Sequence, residues 1–83
     1  KEGIYMLQDV PIQNESELEF TIFCIENVAQ KLGVDGARVY KALAKGDMLG
    51  GYIVPEYDAL HTQGKDYIVD ELLDVMKRRG IEV

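Results

Sequence analysis

The apolar residues in the first half of the chain recur at the spacing of an α-helix. Successive steps of four, three, four and three residues place them on one helical face. The members of this stripe are Leu18, Ile22, Ile25, Ala29 and Leu32. Ser16 and Glu19 have the spacing of a capping box, so the helix is predicted to begin at Ser16. Gly33 is predicted to end it by adopting the left-handed conformation.

Two further helices follow from the same criteria. The second is predicted to follow a cap at Asp35 and to end at Gly46. The last is predicted over about residues 67–79, after a cap at Asp66. Their core-facing positions are Val39, Ala42 and Leu43 in the second helix, and Ile68, Val69, Leu72, Leu73 and Met76 in the last.

The segment between these helices has weaker helical signals. Gly50-Gly51 disfavours a helix, so a turn is predicted first. Pro55 is tolerated in a first helical turn, so a short third helix is predicted over about residues 54–61. Residues 1–14 form a candidate extended arm. The apolar tail, Ile81 and Val83, either pairs with that arm or docks on a neighbouring chain. The predicted fold is therefore all-α, a compact bundle of about four short helices forming one domain over 1–83, with its helical core over 15–80.

Composition and charge narrow the classes of function. The 83 residues carry a net charge of −6, which argues against a protein held mainly by nucleic-acid phosphates or an anionic membrane. No apolar run approaches the roughly 20 residues of a membrane helix. Cys24 is the only cysteine, so no intramolecular disulfide can form, and a cytoplasmic location is expected. One cysteine and one histidine do not suffice for a zinc site, and no phosphate-binding loop is found, so no metal or cofactor is expected.

One segment has the spacing of a helix-turn-helix motif. Ala29 supplies the small residue, Gly33 the turn glycine and Val39 the apolar residue that follows. From residue 30 to 45 there are four basic residues and one acidic residue, a net charge of +3, whereas the rest of the chain sums to −9. The candidate DNA contacts of this alternative are Arg38, Lys41 and Lys45.

The densest polar cluster surrounds the only histidine. Tyr57, His61, Thr62 and Gln63 are the candidate interaction residues of this cluster. His61 could also act as a general base, but no second set of residues completes a catalytic site, and a helix-ending turn is the simpler interpretation. A second candidate surface is an acidic face on the last helix, predicted to face water: Asp70, Glu71 and Asp74.

The run YIVPEYDALHTQGKDYIVDE, residues 52–71, resembles a family of small bacterial proteins classed only as a domain of unknown function. The likeness extends over about residues 18–80 and is most specific in LHTQG, residues 60–64, with YIV at 67–69. The resemblance implies no established activity and no catalytic residues. Members of this family are often encoded beside proteins that look like ADP-ribosyltransferases, which implies a small acidic partner or an antitoxin-like protein.

Together these observations favour a non-catalytic protein-interaction module over an enzyme. Its expected partner is another protein, with a homo-oligomer left open and no membrane association. The alternative is a helix-turn-helix DNA-binding regulator that uses residues 29–45.

Overall fold

The first helix, α1, is Glu15–Leu32, as the apolar stripe predicts, but its cap is Asn14 rather than Ser16. The computed structural model describes residues 12–83, so the predicted extended arm lies almost wholly outside the described residues. Asn14 has extended backbone angles, and its side-chain oxygen accepts the Glu17 amide at 2.8 Å. The Glu17 carboxylate accepts the Gln13 amide at 2.8 Å, so each of the two side chains accepts one backbone amide at the start of α1. Ser16 therefore lies within the first helical turn, and the capping box predicted there was wrong.

The second helix, α2, is Gly36–Lys45, and a short turn at Gly33 joins it to α1. Gly33 has a φ of 70°, the left-handed conformation predicted for the end of α1. Asp35 precedes α2 as predicted, but its side chain makes no capping hydrogen bond. Val39 and Leu43 are buried against the other helices, while Ala42 is only half-buried.

The chain between α2 and the last helix departs most from the prediction. A π-helical turn forms at Leu49–Ile53, with the Ile53 and Val54 amides bonding carbonyls five residues earlier. The third α-helix, α3, is only Tyr57–Leu60, so the predicted helix over 54–61 was too long. Burial accounts for the form of the turn before α3: three apolar side chains of this segment turn into the core, and the wider π turn accommodates them. They are Met48, Leu49 and Ile53.

Gly51 lies close to the Asp47 side chain in this turn. A Cβ atom at this position would lie 2.6 Å from the Asp47 carboxylate oxygen Oδ2, which is closer than real Cβ contacts. Asp47 itself has a φ of 58°, a left-handed conformation that aspartate tolerates better than most residues. The sharp reversal after α2 therefore favours an aspartate at position 47, while a side chain at position 51 would require the Asp47 carboxylate to rotate.

The last helix, α4, is Lys65–Arg78, close to the predicted range. Gly64 occupies the cap position, and Asp66 lies in the first turn, where a carboxylate interacts favourably with the helix dipole. Leu73, predicted to face the core, is half-buried, and the prediction missed Val75, which is buried. The buried residues of α4 are Ile68, Val69, Leu72, Val75 and Met76.

The three longer helices enclose one core, and residues 12–83 contain no strand, which confirms the all-α prediction. The tail after α4 packs on its own chain. Ile81 lies directly against Gly46 at the end of α2, and the Ile81 amide bonds the Met76 carbonyl at 2.9 Å. The Arg38 guanidinium donates to the Val83 main-chain oxygen at 3.0 Å. Residues 4–7 of the predicted arm, the proposed pairing partner of this tail, lie outside the described residues.

Candidate functional site

A stacked pair of rings marks the corner between α3 and α4. The Tyr57 and His61 rings are parallel to within 3°, with centroids 4.2 Å apart. One helical turn separates the two residues, so the spacing that predicted α3 also brings their side chains together. Tyr57 is half-buried, whereas His61 is exposed.

A hydrogen bond to the backbone fixes the orientation of the His61 ring. Its Nδ1 lies 2.7 Å from the Tyr57 carbonyl oxygen. Because a carbonyl can only accept, Nδ1 must donate, and the neutral ring therefore carries its lone pair on Nε2. The exposed side chain thus presents an acceptor nitrogen in the neutral form and a second donor when protonated.

The stack is connected to the core through α1. Phe20, which is almost fully buried, meets the Tyr57 ring edge to face at 5.4 Å between centroids. Phe23 lies 6.3 Å from Phe20 in a nearly parallel arrangement. Aromatic pairs at these distances contribute about 0.5 to 1.5 kcal/mol beyond their buried area. The core therefore holds Tyr57, which in turn positions His61. The spacing of the two phenylalanines on α1 gave no sign of this role.

Thr62 and Gln63 continue the surface from His61 into the loop before α4. Both side chains are exposed, and the Gln63 amide bonds the Leu60 carbonyl at 2.9 Å, which holds the loop close to α3. The four residues predicted as a polar cluster thus form one continuous surface, here called the stack surface: Tyr57, His61, Thr62 and Gln63.

The three residues of the predicted acidic face on α4 differ in their exposure. Asp70 and Asp74 are exposed as expected, and Asp74 pairs with Arg78 at 2.9 Å. Glu71 differs from the prediction, since it is half-buried and accepts a hydrogen bond from the Tyr52 hydroxyl at 3.1 Å. Burial and then this bond to Glu71 raise the pKa of Tyr52 to about 12. Glu71 therefore links α4 to the π-helical turn.

The predicted basic residues of α2 are all exposed. Arg38 is held by its bond to the tail, whereas Lys41 and Lys45 extend from the same side of the helix one and two turns later. Arg79, which the sequence interpretation did not include, lies nearby. Its Nη1 donates to the Asp47 carbonyl at 3.4 Å, and its guanidinium lies 5.8 Å from the centre of the Tyr52 ring.

The chemistry-bearing residues outside these surfaces have structural roles. Cys24 has no exposed surface, and burial raises the pKa of its thiol to about 12, so it is a poor nucleophile at neutral pH. Thr21 is also fully buried, and its hydroxyl donates to the Glu17 carbonyl at 2.8 Å. Within residues 12–83, no group of three or more His, Cys, Asp or Glu side chains could hold a metal ion. In the same residues, no helix is long and apolar enough to cross a bilayer.

Comparisons with known proteins give one match. A family model described as "Protein of unknown function (DUF3791)" matches residues 19–79, which include the stack surface, the π-helical turn, all of α2, α3 and α4, and α1 from residue 19 onwards. No curated protein and no solved structure matches the chain.

Proposed function

The chain belongs to the DUF3791 family of proteins of unknown function, and from that premise we propose that it is a non-catalytic protein-interaction module. The stack surface is its contact site. Its partner is another protein, and it needs no cofactor.

The stacked Tyr57 and His61 rings are the observation that carries this proposal. Protein interfaces favour aromatic side chains that present apolar area and a polar group together, because few rotatable bonds must be ordered on binding. The contact with Phe20 and the Nδ1 bond already hold both rings in place. Binding therefore incurs a small entropic cost at this surface.

The stack surface also offers both hydrogen-bond donors and hydrogen-bond acceptors. His61 presents Nε2, Thr62 a hydroxyl, and Gln63 an amide that can donate and accept. All three side chains are exposed, so a partner can reach them without moving the backbone. These groups fit the polar contacts that surround the aromatic centre of an interface.

A finer proposal concerns the identity of the partner. We propose that the module is a regulatory, antitoxin-like partner of a protein encoded by a neighbouring gene, in the cytoplasm. The net charge of −6 suits a partner with a basic surface, because opposite charges accelerate association and orient the encounter. Coexpression with that gene product tests the idea: a stable complex that suppresses its activity is expected, and independent behaviour of the two proteins contradicts it.

The interaction function is tested by affinity capture from host lysate, with nuclease treatment, comparing the natural chain with His61→Ala/Gln63→Ala. We expect one stoichiometric protein partner, whose affinity falls at least about tenfold in this variant. The matched control is Gln30→Ala/Lys31→Ala, which truncates two exposed residues of α1 that are not part of the stack surface. Equal capture by both variants, or the absence of any protein partner, contradicts the proposal.

A second candidate function is DNA binding through α2. It is favoured by the left-handed Gly33 between α1 and α2, together with the exposed Arg38, Lys41 and Lys45. This function predicts binding to duplex DNA that weakens steeply as salt concentration rises. Binding that does not change with salt, or no binding at all, excludes it.

A further inference from the structure

A basic surface covers the outward side of α2 and extends onto the segment that follows α4. We define it by Arg38, Lys41, Lys45 and Arg79. At about 100° per residue, the three α2 side chains lie within an arc of about 60°. Their outward neighbours are Ala37 and Ala44, both exposed, so no acidic or bulky side chain of α2 interrupts this side.

The tail brings Arg79 to this surface. Ile81 lies against Gly46, and Arg79 bonds the Asp47 carbonyl, so the end of α4 is held beside the end of α2. A cleft of about 370 Å³ lies between them, with Lys45 and Arg79 both in its lining. Glu82 also lines this cleft and is its one acidic side chain. Cations from two separate elements therefore converge on one concave surface.

Within the described part of the chain, none of these cations forms an ion pair with a side-chain carboxylate. The single ion pair among residues 12–83 is Arg78 with Asp74, which lies on α4 and involves none of the four. A protein with a net charge of −6 thus keeps four cations together, and within residues 12–83 no side-chain carboxylate is bonded to any of them. Such segregation of charge orients an oppositely charged partner and accelerates its association.

The residues of this surface distinguish between two kinds of acidic partner. Base reading in duplex DNA relies on amide and hydroxyl side chains as well as arginine, and the outward side of α2 carries alanines where those would stand. The strongly negative remainder of the chain also repels a long phosphate backbone, but it can accommodate a short acidic segment that contacts the basic surface alone. We therefore propose that the basic surface docks an acidic segment of a protein partner, as a second contact of the interaction module proposed above and resting on that function.

The test measures binding of labelled peptides to the full chain by fluorescence anisotropy at low and at physiological salt. The probes are an oligoglutamate peptide, an oligoglutamine peptide of equal length and a short DNA duplex. The variant is Lys41→Glu/Lys45→Glu. Its control is Lys31→Glu/Lys65→Glu, which makes the same change in net charge at two exposed lysines on α1 and α4. Thermal melts establish that both variants fold.

Oligoglutamate is expected to bind more tightly than oligoglutamine and to bind more weakly at higher salt. The Lys41→Glu/Lys45→Glu variant should lose about tenfold in affinity, because each reversal removes an attraction and adds a repulsion, while the control loses much less. Arg79→Gln should lose about twofold to threefold. Equal losses in the two double variants, no preference for glutamate, or tighter binding to the duplex would each overturn the proposal.

Failure of the acidic-segment proposal can be distinguished from failure of the proposed interaction function. If the stack surface captures a protein while the basic surface binds no acidic peptide, only the second contact is refuted. If the natural chain captures no protein at all, the interaction function is refuted as well.

Discussion

The contact between Gly46 and Ile81 gives a sharp test of how the tail is held. A Cβ atom at Gly46 would overlap the Cγ1 and Cδ1 atoms of the Ile81 side chain. The backbone at Gly46 has a φ of −87°, which alanine adopts without strain, so steric overlap alone determines the effect of Gly46→Ala. Either the Ile81 side chain must change rotamer or the tail must move away from α2.

Overpacking of this kind costs about 1 to 3 kcal/mol in a fixed core. Ile81 is half-buried and lies near the end of the described chain, so it can partly give way, and we expect about 1 to 2 kcal/mol. Ile81→Ala alone should also cost about 1 to 2 kcal/mol, because only part of its surface is buried. In the Ile81→Ala background the overlap is gone, so Gly46→Ala should then cost almost nothing.

The assay is a double-mutant cycle measured by urea unfolding. At an m-value of about 1 kcal/mol/M, each single variant should lower the midpoint by about 1 to 2 M, and the double variant should match Ile81→Ala alone. The predicted coupling between the two sites is therefore about 1 to 2 kcal/mol. Additive losses would refute the argument, because they would mean that the two residues do not touch in the folded protein.

Three further predictions follow from single contacts. Asn14→Ala should destabilise the protein by about 1 kcal/mol in urea unfolding, because it removes the cap of α1. Ser16→Ala should change stability little in the same assay. A larger loss for Ser16→Ala than for Asn14→Ala would mean that Ser16 is the cap. The pKa of Tyr52 is raised to about 12, above its unfolded value of 10.0, so its contribution to stability is complete below pH 10 and is lost as the pH rises towards 12. Tyr52→Phe, which also removes the bond to Glu71, should show a smaller loss over that range, and identical pH profiles would contradict this assignment. Cys24 should resist a thiol-specific disulfide reagent in the native protein and react once urea unfolds it, since burial raises its pKa to about 12; fast reaction of the native thiol would show that the core opens there.

Local spacing alone determined the fold class and the three longer helices. A stripe of apolar residues every three or four positions can be buried only as a helix, and glycines at positions such as Gly33 allow the backbone to leave it. The caps were less well determined. Asn14 and Ser16 are both good capping residues by type. The bonds at Glu17 and Gln13 select Asn14, and they are visible only in the folded backbone.

The segment after α2 was decided by the tertiary structure. Gly50-Gly51 has weak local preferences and predicts only a turn before the third helix; burial of the neighbouring apolar side chains makes that turn π-helical. Leu73, predicted to face the core, is only half-buried, and Val75, which the prediction omitted, is buried, for a related reason. The apolar stripe of α4 is broad, and the position of the neighbouring helices selects which of its edges faces inward.

The sequence predicted part of the candidate surfaces, and the tertiary structure decided the rest. Tyr57 and His61 are four residues apart, so one helical turn brings their rings together, and the sequence by itself predicted that cluster. The contacts that hold the surfaces in place join distant residues: Phe20 with Tyr57, Arg79 with Asp47, and Ile81 with Gly46. Helical spacing encodes which side chains share a face of one helix, but contacts between helices depend on how their complete surfaces pack, and that arrangement exists only once the core has formed.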